Sequence, residues 1–102
     1  MAASLQVLYP ASGGSTFDFD YYTGPHAGLV GEHLGPHIQA IQIVKGIAGG
    51  PDVPAGYHCI TTLVFADQGA LDAALAALDP IVADIPNFTN ATPQMLIGEV
   101  LG

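Results

Sequence analysis

The sequence has almost no positive charge. Lys45 is its one lysine or arginine, against nine acidic residues, and the formal net charge is −8. A protein that binds nucleic acid needs several such residues to displace counterions from phosphates, so DNA and RNA are excluded as partners. An anionic membrane surface is disfavoured for the same reason. We interpret the acidic excess as a means of keeping an apolar protein in solution.

Charge of either sign is scarce. Only 10% of the 102 residues are charged, whereas 50% are hydrophobic, and an ordinary soluble domain has about 25% charged residues. This composition excludes intrinsic disorder, which combines low hydrophobicity with high charge. The length predicts one domain over residues 1–102. Because so few charged side chains cannot cover its surface, we expect a second copy of the chain to shield part of it.

Disulfides, membrane spans and familiar catalytic motifs are also missing. Cys59 is the one cysteine, so no internal disulfide forms, and its apolar surroundings predict an unreactive thiol. The apolar segment 60–66 is far too short for a membrane span, and the first residues lack the basic region of a signal peptide. No dinucleotide-binding, P-loop or serine-hydrolase motif occurs. These absences predict a cytoplasmic protein.

Hydrophobic periodicity and turn residues predict an α+β protein with a ferredoxin-like βαββαβ order. Such a chain forms an antiparallel four-stranded sheet with its helices on one face. The strand at 57–65 is uncharged on both faces, so the face without helices requires a partner, which we predict to be a second copy. The predicted strands are 4–9, 38–46, 57–65 and 93–101, and the predicted helices are 18–34, 68–78 and 79–84.

The first predicted helix contains an obstacle. Asp18 is a typical N-cap residue, but Pro25 has no amide for an interior helical hydrogen bond. Either the helix kinks at Pro25, or a short turn precedes a helix that begins near that residue. Gly35 and Pro36 end the helix.

Several segments resemble the EthD-like family of the dimeric α+β barrel superfamily. The resemblance implies a homodimer with two sheets face to face, and an apolar cavity near the helix that carries His26. The family is named for a protein of fuel-ether degradation, and the superfamily includes cofactor-free monooxygenases, lactone isomerases, polyketide cyclases and haem-handling proteins. The matching segments are Val7-Leu8-Tyr9-Pro10, Phe17-Asp18-Phe19-Asp20-Tyr21-Tyr22 with His26 and Leu29-Val30 following, Lys45-Gly46, Phe65, Asp84-Ile85-Pro86-Asn87-Phe88-Thr89 and Ile97-Gly98-Glu99-Val100.

His26 is the strongest candidate for a catalytic residue, together with Tyr22. The two side chains are four residues apart, so they share one face of a helix that continues past Pro25. Histidine titrates near neutrality, and beside a tyrosine in an apolar cavity it could take a proton from an activated carbon or a phenol. The alternative is a buried structural histidine that bonds a backbone carbonyl.

Four further residues are predicted to bind the substrate. Tyr9, Phe17 and Phe88 supply aromatic surface, for which packing in the core is the alternative. The resemblance implies that Tyr9 and Tyr22 approach the cavity and that Asp84 is an acid in the pocket. The alternative for Asp84 is a turn role, with side-chain to backbone hydrogen bonds over residues 85–88.

His33 and His37 have the spacing of metal ligands on a helix, but Gly35 and Pro36 interrupt that helix. His26 and His33 are seven residues apart, about 10.5 Å along a helix. We therefore expect no metal site, and we place His33 and His37 at the surface or in an interface.

The sequence thus predicts a small homodimer that binds an apolar or aromatic metabolite. The first hypothesis is an enzyme without a cofactor, which uses His26 for proton transfer in an isomerisation, a cyclisation or an assisted oxygenation. The second is a non-enzymatic binding or accessory module for a partner oxygenase. Haem or metal handling is a weaker third hypothesis.

Overall fold

The structure, a computed structural model, describes residues 2–102. Its four strands form one antiparallel sheet. The predicted ferredoxin-like α+β fold is therefore confirmed. In chain order the strands are β1 (Ala3–Pro10), β2 (Ala40–Lys45), β3 (Tyr57–Phe65) and β4 (Gln94–Glu99), and their order across the sheet is β2-β3-β1-β4.

The helices lie on one face of the sheet. No helix within residues 2–102 is long and apolar enough to cross a bilayer. The α-helical segments are α1 (Phe19–Tyr21), α2 (Ala27–His33), α3 (Gln68–Leu75) and α4 (Asp79–Asp84), a π-helical segment (Tyr22–His26) joins α1 to α2, and 3-10 turns occupy Gly35–His37 and Ile85–Asn87.

The first helix neither kinks into two pieces nor restarts at Pro25. Asp18 caps it as predicted, because its carboxylate accepts a hydrogen bond from the Tyr21 amide at 3.1 Å. The backbone then widens into the π-helical segment, in which the Ala27 amide bonds the carbonyl of Tyr22, five residues earlier. The wider turn accommodates the missing amide of Pro25 without ending the helix.

The sequence placed the other elements correctly but extended several of them too far. β2 and β4 are each shorter than predicted, and α3 ends at Leu75 instead of residue 78. The next amides explain the early end of α3, because Ala77 and Leu78 bond carbonyls three residues back and so tighten the last turn. The predicted cap at Asp67 is confirmed by its 2.8 Å bond from the Ala70 amide.

The side of the sheet that faces the helices contains two buried clusters. The aliphatic cluster consists of Ala3, Leu5, Leu34, Leu63, Phe65, Leu71, Ala74 and Ile81. The aromatic cluster consists of Tyr9, Tyr22, Cys59, Ile85 and Phe88. Both clusters include residues of the central strands β1 and β3, so the sheet fixes the position of one cluster relative to the other.

The opposite side of the sheet, the open face, has no charged side chain on any of the four strands. Strand pairing aligns Leu8, Ile60 and Val44 in one row across the sheet. The next row consists of Gln6, Thr62 and Gln42. Val44 remains 47% exposed and Leu96 56% exposed. The open face comprises Ser4, Gln6, Leu8, Ala40, Gln42, Val44, Ile60, Thr62, Val64, Gln94, Leu96 and Gly98.

Candidate functional site

His26 and Asp84 form a buried ion-pair geometry next to the aromatic cluster. The π-helical segment places His26 and the end of α4 places Asp84, so that Nδ1 of the histidine lies 3.0 Å from Oδ2 of the carboxylate. His26 is 2% exposed and Asp84 is 9% exposed. The partner of the histidine is therefore a carboxylate instead of the backbone carbonyl that a structural histidine was expected to bond.

Asp84 is also bound by two other side chains. Its Oδ1 accepts a hydrogen bond from the Tyr21 hydroxyl at 2.8 Å and another from Nδ2 of Asn87 at 2.9 Å. Within residues 2–102 it makes none of the side-chain to backbone bonds that were expected for a turn role. That expectation is wrong because three side-chain donors converge on the two carboxylate oxygens.

The surroundings of Asp84 keep its carboxylate ionised. Burial alone would raise its pKa, but the hydrogen bonds from Asn87, His26 and Tyr21, with the attraction of His26, lower the pKa below the usual value. An ionised carboxylate can only accept, so Nδ1 of His26 must carry the proton that it donates. The lone pair of the neutral imidazole is then on Nε2.

Nε2 of His26 makes no hydrogen bond within residues 2–102. No fully buried side-chain nitrogen or oxygen in this part of the chain lacks a partner. Nε2 is therefore not fully buried, although the side chain of His26 as a whole is only 3% exposed. The nitrogen that could accept a proton is therefore the one that another molecule could reach.

Tyr22 stacks on the imidazole, as its position four residues earlier predicts. The ring centroids are 5.0 Å apart and the planes differ by 21°. Its hydroxyl forms a hydrogen bond with Oγ1 of Thr61 on β3. Burial raises the pKa of Tyr22 even though the bond with Thr61 acts in the opposite direction, and the phenol therefore stays neutral.

The remaining predicted residues surround this pair. The Phe88 ring lies 4.5 Å from the His26 ring, and Phe17 lies 5.2 Å from Tyr9, measured between centroids. Burial, followed by the neighbouring Tyr22, strongly raises the pKa of Tyr9. The structure thus brings together all six residues predicted for the site, namely Tyr9, Phe17, Tyr22, His26, Asp84 and Phe88.

Tyr21, Thr61 and Asn87 were not predicted as members of the site. The hydrogen bond to Asp84 is the main reason why the pKa of Tyr21 is raised. Asn87 follows Asp84 by three residues, a spacing that lets the two side chains meet across one turn. Thr61 could have been found as the one threonine or serine on the side of β3 that faces the helices.

An apolar cavity of about 440 Å³ lies beside the loop that joins β2 to β3. Cys59 belongs both to its wall and to the aromatic cluster, and its Sγ lies 3.9 Å from Oγ1 of Thr61. Burial raises the pKa of the Cys59 thiol. The wall is formed by Val44, Lys45, Gly46, Ile47, Ala48, Gly49, Ala55, Gly56, Tyr57, Cys59 and Ile60, and it does not include His26.

A second histidine contact, between His58 and Ser15, lies near the start of β3. A bulge in β3 opposite Pro10 directs His58 towards Oγ of Ser15, which is 2.8 Å from Nε2. The Ser15 hydroxyl donates its proton to the Ser12 carbonyl at 2.6 Å. His58 must then be the donor to Ser15, so this pair does not have the arrangement of a nucleophile with its base.

No group of three histidine, cysteine or acidic side chains within residues 2–102 could hold a metal ion. His33 ends α2 and His37 ends the following 3-10 turn, and both are half-buried. The prediction that no metal is bound stays a prediction.

With this geometry established, comparison with solved structures shows what the chain is similar to. An EthD-like protein from Ralstonia eutropha superimposes with a TM-score of 0.88 and is 27% identical, with 99% of this chain and 93% of that protein covered. The predicted resemblance to EthD-like proteins is confirmed. No protein-family model and no curated protein matches the sequence.

Two further structures share the fold. A protein of the ethyl tert-butyl ether (EthD) family from Bacillus halodurans has a TM-score of 0.74 and 20% identity, with 99% of this chain and 100% of that protein covered. A dimeric ferredoxin-like protein from Thermobifida fusca has a TM-score of 0.64 and 8% identity, with coverages of 98% and 92%. The ferredoxin-like core therefore persists where little sequence similarity remains.

Proposed function

We propose that the protein is a homodimer that binds a small apolar or aromatic metabolite and uses His26 as a general base. The observation that carries this proposal is the buried pair of His26 and Asp84, with Nε2 free of any hydrogen bond within residues 2–102. The rings of Tyr22 and Phe88 lie against the histidine, which suits a flat apolar substrate. A role in ether degradation and a cytoplasmic location stay predictions from the sequence.

The proposed chemistry is proton transfer. Nε2 takes a proton from an activated carbon or a phenol, and the ionised Asp84 stabilises the imidazolium that forms. Tyr9 and Tyr22 keep their protons because their pKa values are raised, so their hydroxyls can orient a carbonyl or a phenol of the substrate. The reaction is an isomerisation or a cyclisation, or an oxygenation when O₂ is the second substrate.

A second copy of the chain would cover the open face. That face is uncharged and carries exposed Val44 and Leu96, and water contact with this much apolar surface is unfavourable. The Thermobifida fusca protein with the same fold is described as dimeric. Two open faces packed together would form a dimeric α+β barrel.

The dimer is tested by sedimentation equilibrium at micromolar concentration. We expect a mass of two chains for the native sequence and of one chain for Thr62→Lys, because the substitution puts a charge at the centre of the open face. Gln39→Lys, in an exposed position next to β2, is the control and should remain dimeric. A single-chain mass for the native protein would contradict the proposed dimer.

A binding or accessory module is the second candidate function. The observation that favours it is the separation of the 440 Å³ cavity from His26, which is absent from the cavity wall. In that case the protein would carry or sense the same class of molecule for a partner oxygenase, and His26 and Asp84 would only stabilise the fold.

The two functions are distinguished by the fate of a bound molecule. Denaturing mass spectrometry of freshly purified protein should identify a co-purified apolar or aromatic compound, which is then added back to the purified protein. For an enzyme we expect conversion that His26→Gln abolishes while binding persists. Binding without conversion supports the accessory module, and conversion that His26→Gln leaves unchanged removes the proposed base.

A further inference from the structure

The free nitrogen of His26 can accept a hydrogen bond and cannot donate one. Both oxygens of Asp84 receive side-chain donors, Oδ1 from Tyr21 and Asn87, and Oδ2 from Nδ1 of His26. Because a carboxylate only accepts, it holds the proton of the neutral imidazole on Nδ1 and leaves a lone pair on Nε2. A molecule that forms a hydrogen bond with Nε2 must therefore bring the proton itself.

The groups packed around the imidazole leave its Nε2 edge for an incoming molecule. Tyr22 stacks on the ring with 5.0 Å between centroids, and the Phe88 ring lies 4.5 Å away at an angle of 58°. Asp84 occupies the Nδ1 edge at 3.0 Å. Nε2 has no hydrogen-bond partner within residues 2–102 and is not fully buried. A donor therefore approaches along the lone pair of Nε2, in the plane of the ring.

The charges of the protein oppose an anion at this edge. The carboxylate of Asp84 lies 3.0 Å from the same imidazole, and the net charge of −8 repels anions from the chain as a whole. Lys45, the only lysine or arginine of the sequence, is exposed, and its Nζ lies 4.8 Å from the centroid of the Phe19 ring. A carboxylate or a phosphate at Nε2 would lose its hydration and meet a lone pair in place of a donor.

From these observations we infer that the site at His26 selects an uncharged molecule with a weakly acidic hydroxyl, a phenol or an enol, and excludes carboxylates, phosphate esters and coenzyme A thioesters. The hydroxyl donates to Nε2, and the apolar body contacts the rings of Tyr22 and Phe88. In the proposed reaction the O–H bond breaks, an N–H bond forms at Nε2, and the electron pair stays on the oxygen. This inference rests on the proposed function and specifies the substrate class of the same site.

Three ligands with the same apolar body test this selection at about pH 7. There 4-ethylphenol is an uncharged donor, 4-ethylanisole is uncharged and has no donor, and 4-ethylbenzoate is an anion, because a phenol titrates near about 10 and a carboxyl near about 4. NMR titration of protein with isotope-labelled histidine follows the ring nitrogens of His26, so it reports binding at this residue. We expect 4-ethylphenol to bind about tenfold more tightly than 4-ethylanisole, since one hydrogen bond contributes about this factor. We expect 4-ethylbenzoate to bind more weakly than either.

The Asp84→Asn variant links the selection to the carboxylate. An asparagine side chain can donate to Nδ1 as well as accept from it, so Nε2 is no longer held as an acceptor. We expect the ring nitrogens of His26 to show a mixture of the two tautomers, and the preference for 4-ethylphenol over 4-ethylanisole to be largely lost. Asp52→Asn is the matched control, because it removes the same charge at an exposed loop position. It should keep both the native tautomer and the native preference.

The outcomes separate this inference from the proposed function. If none of the three ligands shifts the resonances of His26 in the native protein, both are contradicted. If 4-ethylanisole or 4-ethylbenzoate binds as tightly as 4-ethylphenol, the inference about the substrate class is overturned, while small-molecule binding at His26 stands. A preference for 4-ethylphenol that persists in Asp84→Asn overturns the part assigned to the carboxylate.

Discussion

The aliphatic and aromatic clusters lie side by side under the same helices, yet they are built differently. The aliphatic cluster contains only hydrocarbon side chains, such as Leu5, Leu63 and Leu71, which are each at most 3% exposed. The aromatic cluster contains the hydroxyl of Tyr22 and adjoins His26 and Asp84. Hydrocarbon groups need only to be packed, whereas each buried polar group also needs a hydrogen-bond partner.

This difference bears on the function proposed for the aromatic half of the core. A fold of this kind is stabilised well enough by packed hydrocarbon, and burying ionised groups is seldom the more stable solution. The side chains around Asp84 nevertheless provide three donors for its two oxygens. Such a network fixes the orientation of His26, as the proposed proton transfer requires.

The largest expected effect is on stability and concerns the aliphatic cluster. Leu63→Ala should lower the free energy of unfolding by about 3 kcal/mol, because it removes buried methyl groups and leaves a cavity. Denaturant titration measures this change, and Leu101→Ala, at an 89% exposed position, should change stability by less than about 0.5 kcal/mol.

Binding of N-phenyl-1-naphthylamine, a neutral reporter that fluoresces when it enters an apolar site, sharpens the same comparison. Under conditions where Leu63→Ala remains folded, we expect the affinity for the reporter to match that of the native protein, since the cavity wall does not include Leu63. A stability loss below about 1 kcal/mol, or a selective loss of reporter binding, would contradict the separation of the two halves.

The sequence predicted the aliphatic half more completely than the aromatic half. Alternation in β3 and the spacing of Leu71, Leu75 and Leu78 locate the hydrocarbon core directly, and these residues are buried or half-buried. Such patterns depend on neighbours along the chain. They can be read without knowledge of the contacts between distant segments.

The pairing of His26 with Asp84 could not be read in this way. The two residues are 58 positions apart, and neither one has a local pattern that points to the other. Pro25 also obscured the geometry, because a π-helical segment is one of several ways in which a helix can accommodate proline. The spacing of Tyr22 and His26 and the resemblance to EthD-like proteins, which implied Tyr9 and Asp84, supplied site residues, while the structure supplied their contacts.

An intermediate effect on stability is expected when the charge of Asp84 is removed. Asp84→Asn should lower stability by about 2 kcal/mol near neutral pH, since hydrogen bonds to a charged group are lost or weakened. The folded pKa of Asp84 lies below its unfolded value of about 3.9. Its stabilisation is therefore fully present above about pH 4 and is lost as the pH falls through the folded pKa.

The pH dependence identifies this contribution. Denaturant titrations from neutral pH down to about pH 2 should show a smaller loss of stability in acid for Asp84→Asn than for the native protein. Asp52→Asn is the control, because it removes the same charge from an exposed loop position whose φ of 60° asparagine also tolerates. This variant should lose as much stability in acid as the native protein. Parallel profiles for the native protein and Asp84→Asn would show that the carboxylate does not stabilise the fold.

The smallest expected effect concerns one hydroxyl in each of two environments. Tyr22→Phe removes the buried bond with Thr61 and leaves the Thr61 hydroxyl without its main partner, which should cost about 1–2 kcal/mol in unfolding free energy. Thr23→Val removes a 2.8 Å bond that the exposed Thr23 hydroxyl donates to the Phe19 carbonyl in the first helix. There water replaces the lost partner, so a change below about 0.5 kcal/mol is expected. Equal losses of stability in the two variants would mean that the Tyr22 hydroxyl stabilises the fold no more than an exposed hydroxyl does. The bond between Tyr22 and Thr61 would then not link the residues around His26 to β3.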